Sequence, residues 1–238
     1  MAIYRDRAIV LRTWKLGESD RIAAMLTESL GKVRVVAKGA RKPKSRFGGR
    51  IEPTRHLLVQ CYEGRQLDNL TQVESIDGFR AVREDLGRLT KAAVLLEASD
   101  QLCAERQPDP GAYRMLLGAL RRLDASDSAM LVPSFLLKRL AHEGLGPELD
   151  VCVVTGETAD LVAIDVELGG VVSARVERGR WVEPATLQLM RRVMGGELAQ
   201  VLDEPESACT HEVADVVTRL YEHHVERRLR SMRAMDAS

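Results

Sequence analysis

Residues Lys32–Arg50, KVRVVAKGARKPKSRFGGR, carry eight cations in nineteen positions and no acid. The segment Val33–Ala37, VRVVA, alternates as a strand does, whereas Gly39, Pro43, Gly48 and Gly49 break any regular structure beyond it. Period two places Lys32, Arg34 and Val36 on one face and sends Val33, Val35 and Ala37 into a core. A cationic strand that runs into a flexible cationic loop suits a polyanion, because phosphate neutralisation supplies most sequence-independent nucleic-acid affinity. The bland alternative is a solvated loop, but nothing acidic within the run compensates its charge.

Working outward, residues 1–75 read as five short strands: Ala8–Trp14, Ile22–Thr27, Val33–Ala37, Leu57–Tyr62 and Leu67–Val73. Turns at Gly17 and Gly31 separate the first three, and Glu63–Gln66 joins the last two. Short strands at this spacing point to a small barrel or sandwich. A long cationic connection between the third and fourth strands fits an OB-type barrel, and an SH3-like barrel would share the same strand count. From residue 76 the period changes to that of helices. Val82–Ala104 ends before Pro108 and Pro110, Ala112–Leu123 follows, and Ala129–Glu143 stops at Gly144 and Gly146. Residues 147–182 turn β-rich again. After Pro184 helices are expected over Ala185–Met194, Glu197–Leu202 and His211–Met232.

The 238 residues are 45% hydrophobic and carry a formal net charge of zero, which hides a dipole. Residues 1–80 hold sixteen Lys and Arg against nine Asp and Glu, a surplus of +7 that the remainder cancels. Such asymmetry assigns an anionic partner to the first part. The N-terminus has no apolar signal region, and no apolar run approaches the roughly twenty residues of a membrane span, so a cytoplasmic, nucleoid-associated protein with no membrane contact is expected. Cys61, Cys103, Cys152 and Cys209 have no paired spacing, which excludes a disulfide framework and suits a reducing compartment.

Motifs of catalysis are missing. There is no Walker loop, GxSxG elbow, HExxH or GxGxxG pattern. Asp165 and Glu167 read as a hairpin rim rather than a carboxylate pair, and the chain is expected not to be an enzyme. The candidate DNA-binding residues are Lys32, Arg34, Lys38, Arg41, Lys42, Lys44, Arg46 and Arg50, as phosphate partners. Arg121, Arg122, Lys138 and Arg139 make a second cationic set, whose alternative is ordinary helix-end charge. Arg227, Arg228 and Arg230 are similarly ambiguous. Phe47, the one aromatic of the loop, is either a stacking platform for a base or a hydrophobic anchor.

The motifs GESDRI at 17–22, GKVRVVAKGARKPKSRFGG at 31–49, LDNLTQVE at 67–74, LDVC at 149–152, IDVELGG at 164–170 and HHVERRLRS at 223–231 resemble the RecO family of bacterial recombination mediators over nearly the whole chain. The resemblance implies an N-terminal OB fold, a helical domain and a small inserted zinc-binding module. It also implies a protein that binds single- and double-stranded DNA without sequence choice and anneals complementary strands. Such a protein works with RecR, engages the C-terminal tail of single-strand-binding protein, and helps load RecA. One departure stands out. Family members often carry two CxxC pairs in the insert, the spacing of a structural Zn²⁺ site. Here only Cys152 remains, position 155 is Thr155, and residues 169–176 contain no cysteine. No zinc and no other cofactor is therefore expected, and apolar contacts among Val153, Val154, Leu161, Ile164, Val166, Val171 and Val172 should hold the insert.

The expected architecture is α+β: a five-stranded OB-type β-barrel, then a mainly α-helical domain with a small β-rich insert like a degenerate zinc finger. The parts are 1–78 for the barrel, 79–146 for the first helical part, 147–182 for the insert and 183–238 for the second helical part. Two other functional classes fit the same charge pattern, an OB-fold RNA-binding module and an adaptor for acidic peptide segments.

Overall fold

The computed structural model describes residues 2–235. Five strands, Ile3–Leu16 (β1), Asp20–Thr27 (β2), Gly31–Ala37 (β3), His56–Tyr62 (β4) and Asp68–Asp77 (β5), close into a barrel in the order β1-β2-β3-β5-β4. The long β1 serves both halves, pairing with β4 through Ile3–Ile9 and with β2 from Ala8 onward. A bulge between Val10 and Arg12 lets it bend from one partner to the other. Barrel closure rests on a short parallel pairing of β3 with β5 at Val35–Asp68 and Val36–Asn69. This is the OB arrangement, and it decides against the SH3-like alternative.

Alternation builds the core. Ala8 and Val10, Ala23 and Met25, then Val33, Val35 and Ala37 point inward with Leu57, Val59, Cys61 and Leu70. The β3–β4 connection supplies Ala40, Phe47 and Ile51 to the same core, the last from a 3₁₀ turn at Gly48–Ile51. Burial pushes the Cys61 thiol up to about 12, so it behaves as a packed apolar group. β1 begins five residues earlier than its apolar run suggests, because Asp6 is buried within it. The Asp6 carboxylate is satisfied by the N–H groups of Arg7 (2.8 Å) and Ser29 (3.0 Å).

Helices follow: Arg80–Glu84 (α1), Leu86–Leu102 (α2), Pro110–Ala125 (α3) and Leu131–His142 (α4). The single helix expected over 82–104 is broken at Asp85, which adopts an extended backbone and caps α2 by accepting the Arg88 N–H at 2.8 Å. α2 lies against β1 and β2, and α3 is tied to the barrel by Tyr113, whose hydroxyl meets His56 Nε2 at 2.7 Å. The insert holds Leu161–Asp165 (β6), Gly170–Ser173 (β7) and Arg180–Trp181 (β8), in the order β7-β6-β8. Pro184–Met194 (α5), Leu198–Val201 (α6), Ala208–Val225 (α7) and Arg230–Met235 (α8) complete the chain. The expected final helix over 211–232 is interrupted at Glu226, where φ is +51°.

The chain forms two compact units. One runs to Ala125 and resumes at Arg230, and the other is Ser126–Leu229. In the first, α8 returns to α2, where Glu97 accepts N–H bonds from Arg230 (3.0 Å) and Ser231 (2.8 Å). Among the described residues no helix is long and apolar enough to cross a membrane.

Candidate nucleic-acid interface

The cationic run is sorted by the structure into groups with different work. Lys32 and Arg34 do share the outward face of β3, as alternation requires, but acids from after the barrel reach them. Lys32 Nζ lies 3.2 Å from Asp100, at the end of α2, and its side chain is 13% exposed. Arg34 holds Glu105 through two contacts, 2.8 and 2.9 Å. Arg12 on β1 adds a third cation, 3.3 Å from Asp100. Backbone pairing continues the contact: Glu105 bridges Lys32, and Arg106 N–H donates to the Lys32 carbonyl at 2.8 Å. Gly31 permits this approach, since a Cβ there would lie 1.8 Å from the Gln107 carbonyl oxygen. In this structure Lys32 and Arg34, expected as phosphate partners, are ion-paired and seat residues 100–107 on the barrel.

Lys38, Arg41, Lys42, Lys44, Arg46 and Arg50 are all exposed. None of them forms an ion pair with a described carboxylate. The first part of the connection is held at the β1–β2 turn. Gly39 N–H donates to Asp20 at 2.8 Å, Arg41 N–H donates to the Ser19 carbonyl at 2.9 Å, and the Arg41 guanidinium reaches the carbonyls of Gly17 and Glu18. The Gly39 N–H, with the Ser19 hydroxyl and the nearby charges of Lys38 and Lys42, holds the Asp20 carboxyl below its usual range. The connection is thus pinned by its backbone while its ammonium groups stay in solvent.

The second part turns on Phe47, which is 1% exposed and packed in the barrel core. Of its two alternatives, the ring is the hydrophobic anchor. Burial of a phenylalanine stabilises by about 1.5–3 kcal/mol, enough to fix where the flanking cations sit. The Arg46 guanidinium stands 5.0 Å over the ring, and Arg50 donates to the Arg46 carbonyl at 3.0 Å.

The second expected set is divided between the two compact units. Arg121 pairs with Asp77 of β5 at 3.1 Å, and Arg122 is half-buried on the same helix. Lys138 and Arg139 belong to the other compact unit. Lys138 is half-buried, with its ammonium 3.4 Å from the Met194 carbonyl. Arg139 is fully buried and pairs with Glu143 at 2.7 Å one helical turn along, so it is corrected from a surface cation to an interior one. Its helix is apolar on most sides, and the charge in its sequence gave no sign of the direction it faces. The Asp165–Glu167 pair is a hairpin rim: Asp165 accepts the N–H groups of Glu167 (2.9 Å) and Leu168 (3.0 Å) and pairs with Arg178.

Comparison with known proteins fits this architecture. The family model described as Recombination protein O N terminal matches residues 1–79, and that described as Recombination protein O C terminal matches residues 83–233. The chain belongs to the RecO family. A protein of a Nocardioides species named DNA repair protein RecO is 38% identical, over 97% of this chain and 98% of its own. Proteins of the same name from Bifidobacterium adolescentis and Cutibacterium acnes are each 37% identical, over 99% and 98% of this chain and 100% and 98% of theirs.

The zinc module expected of many RecO proteins can be tested on the insert of this one. Cys152 is 2% exposed, and its sulfur accepts the N–H groups of Thr155 at 3.4 Å and Ser173 at 3.3 Å. Its neighbours are apolar: Ala163 and Val172, with Leu161, Val162 and Val176 packed against them. Burial pushes the thiol up, but the Thr155 side chain and the N–H donors of Thr155, Ser173 and Val154 outweigh it and bring it down to about 6. Among the described residues no cluster of potential metal ligands includes Cys152. A donor set of one thiolate does not fit a tetrahedral Zn²⁺ site. Val153 and Val154, expected inside the insert, are 36% and 53% exposed, and Val162, Ala163 and Val176 take that role instead.

Proposed function

We propose that this RecO-family chain acts in DNA repair and recombination as a mediator without catalytic activity of its own. It binds single- and double-stranded DNA without sequence choice, anneals complementary strands and, with RecR, helps load RecA onto DNA coated by single-strand-binding protein, whose C-terminal tail it engages. It works in the cytoplasm at the nucleoid and uses no zinc or other cofactor. The observation that carries the DNA contact is the exposed series Lys38, Arg41, Lys42, Lys44, Arg46 and Arg50, held on a barrel by Phe47 and Asp20, none of them ion-paired with a described carboxylate. The shared name of the relatives supports repair as the setting.

The test is fluorescence anisotropy of a labelled single-stranded oligomer at several salt concentrations. Wild type is compared with the variant K38E/R41E/K42E/K44E, checked for folding by circular dichroism. Each phosphate contact contributes about 0.7 to the slope of log affinity against log salt on a single strand. A steep slope in wild type and a shallower one in the variant is expected, with strand annealing lost in parallel. Equal binding by both proteins would remove the loop from DNA recognition and leave the acidic-peptide adaptor as the better account.

A further inference from the structure

The described helices leave part of the barrel's outer surface open. α2 lies on β1 and β2, and residues 100–107 are seated along β3. The first half of β1, with β4 and β5 away from the His56–Asp77 end that α3 meets, remains. A groove of about 390 Å³ runs there, bounded by Arg5, Arg46, Arg50, Leu58, Gln60 and Thr71. Glu74 is the one carboxylate in its wall, against three guanidinium groups. Arg5, Arg46 and Arg50 make no ion pair with any described residue.

These arginines are oriented by neutral partners, which leaves their charge uncompensated. Arg5 donates through Nε to Gln60 at 2.6 Å, its direct cross-strand neighbour, and its remaining N–H groups are free to face the groove. Gln60 in turn donates to Thr71 at 3.3 Å, and Thr71 to the Gln60 carbonyl at 2.9 Å. A register shift between Gln60 and Cys61 gives β5 an extra residue at that point and re-aims Thr71. Arg46 is stacked on Phe47, and Arg50 is held by the Arg46 carbonyl. Planar guanidinium groups fixed in this way match phosphate oxygens, with less rotamer freedom to lose than lysines would have. The same face also exposes apolar side chains: Leu58 is 38% and Tyr62 41% exposed. Tyr62 stands two residues from Gln60 on β4, hence on the same side of the sheet, about 7 Å further along the strand.

We propose that this β1–β4–β5 face is a binding track for single-stranded DNA, with Arg5, Arg46 and Arg50 on consecutive phosphates and the Tyr62 ring under a base. The inference rests on the DNA-binding function proposed above and adds a face, a strand form and residues to it. Cations grip the backbone while an aromatic ring takes any base, the combination that sequence-tolerant single-strand binders use. The stacking group is thus Tyr62 on the sheet, and Phe47 supports the arginines from beneath.

Two classes of variant separate the charges from the ring. In the anisotropy assay R5Q/R46Q/R50Q should lower the salt slope by about 2, three contacts at about 0.7 each. Tyr62→Ala should weaken single-strand binding about tenfold with the slope unchanged, and Tyr62→Trp should retain it. Duplex of the same length should be insensitive to Tyr62→Ala. Should the triple variant fail to fold, Arg5→Gln at an exposed strand position should still lower the slope by about 0.7. Wild-type binding by both the arginine variant and Tyr62→Ala, while K38E/R41E/K42E/K44E is impaired, overturns the track and leaves DNA binding by the loop intact. Wild-type binding by all three overturns both. An equal loss on duplex from Tyr62→Ala overturns the base contact.

Discussion

Cys152 shows how backbone donors can set the chemistry of a thiol in apolar surroundings. Backbone N–H groups converge on its sulfur from Thr155 and Ser173, much as they would on a metal thiolate, yet apolar side chains fill the remaining space. The N–H donors favour the thiolate and outweigh the burial that opposes it, which sets the folded thiol at about 6, below the ordinary value of about 8.5. The direction of the pH effect follows. Below pH 6 the thiol is protonated in both folded and unfolded chains and adds nothing. As pH rises from about 6 towards the unfolded value the folded form alone is ionised, so stability grows, and above that value the gain is complete. Cys152→Ser keeps an acceptor but cannot ionise in this range. The wild-type advantage over this variant in urea midpoint should widen between pH 5.5 and 9, and a constant difference would contradict the donor geometry. Elemental analysis of the purified protein should find far less than one zinc per chain. A full equivalent that disappears in Cys152→Ser would show that the insert binds metal after all.

Among elements, the segment that joins α2 to α3 has the largest consequence for function. It brings Glu105 to β3 beside Asp100 from the last turn of α2, so cations that are neighbours in sequence behave differently. Lys32→Gln and Arg34→Gln should leave the salt slope for single-stranded DNA at its wild-type value, unlike substitutions between Lys38 and Arg50. Their effect should appear in stability instead. Arg34 and Glu105 are both more than 40% exposed, and an exposed pair contributes at most about 1 kcal/mol. Lys32 and Asp100 are 13% and 18% exposed, and loss of that more sheltered contact should cost about 1.5–3 kcal/mol in urea unfolding. A reduced slope in either variant would return these residues to the DNA surface. Much of this barrel was legible beforehand, because period-two alternation and glycine turns are local signals. Strands two to four came within two residues of their ends in the structure. Phe47 was ambiguous because stacking and anchoring both require an aromatic ring in a loop. The fates of Lys32, Arg34 and Arg139 were not legible: an ion pair spanning about seventy residues, or the inward turn of one helical arginine, leaves no periodic mark. Arg5 was passed over because buried Asp6 beside it broke the apolar run that would have announced the start of β1.

At the scale of the molecule, the chain leaves the barrel-bearing unit at Ala125 and comes back to it at Arg230. That return was hidden in what reads as one continuous basic helix, and it depends on a reversal at Glu226, whose backbone is left-handed, φ +51°. The docking partner is Glu97, inside α2. Its carboxylate accepts the N–H groups of Arg230 and Ser231 and the Ser231 hydroxyl, at 3.0, 2.8 and 2.6 Å. Charged acceptors at the first turn of a helix are favourable through both hydrogen bonding and the orientation of the peptide dipoles. The C-terminal residues thus stabilise the helix that covers β1 and β2, far away in sequence. A chain ending at residue 229 keeps every residue of the barrel core, but α2 should be loosened by about 1–3 kcal/mol through the loss of hydrogen bonds to a charged group. Amide hydrogen exchange in α2 should then be about 5–150-fold faster than in the full chain, while exchange in α7 is unchanged. Glu97→Gln in the full chain should reproduce part of the acceleration, since it keeps the shape and removes the charge. If α2 exchanges at the same rate in all three proteins, the contact with Glu97 contributes nothing to the unit, and the helix is held by its packing on α1, α3 and the barrel.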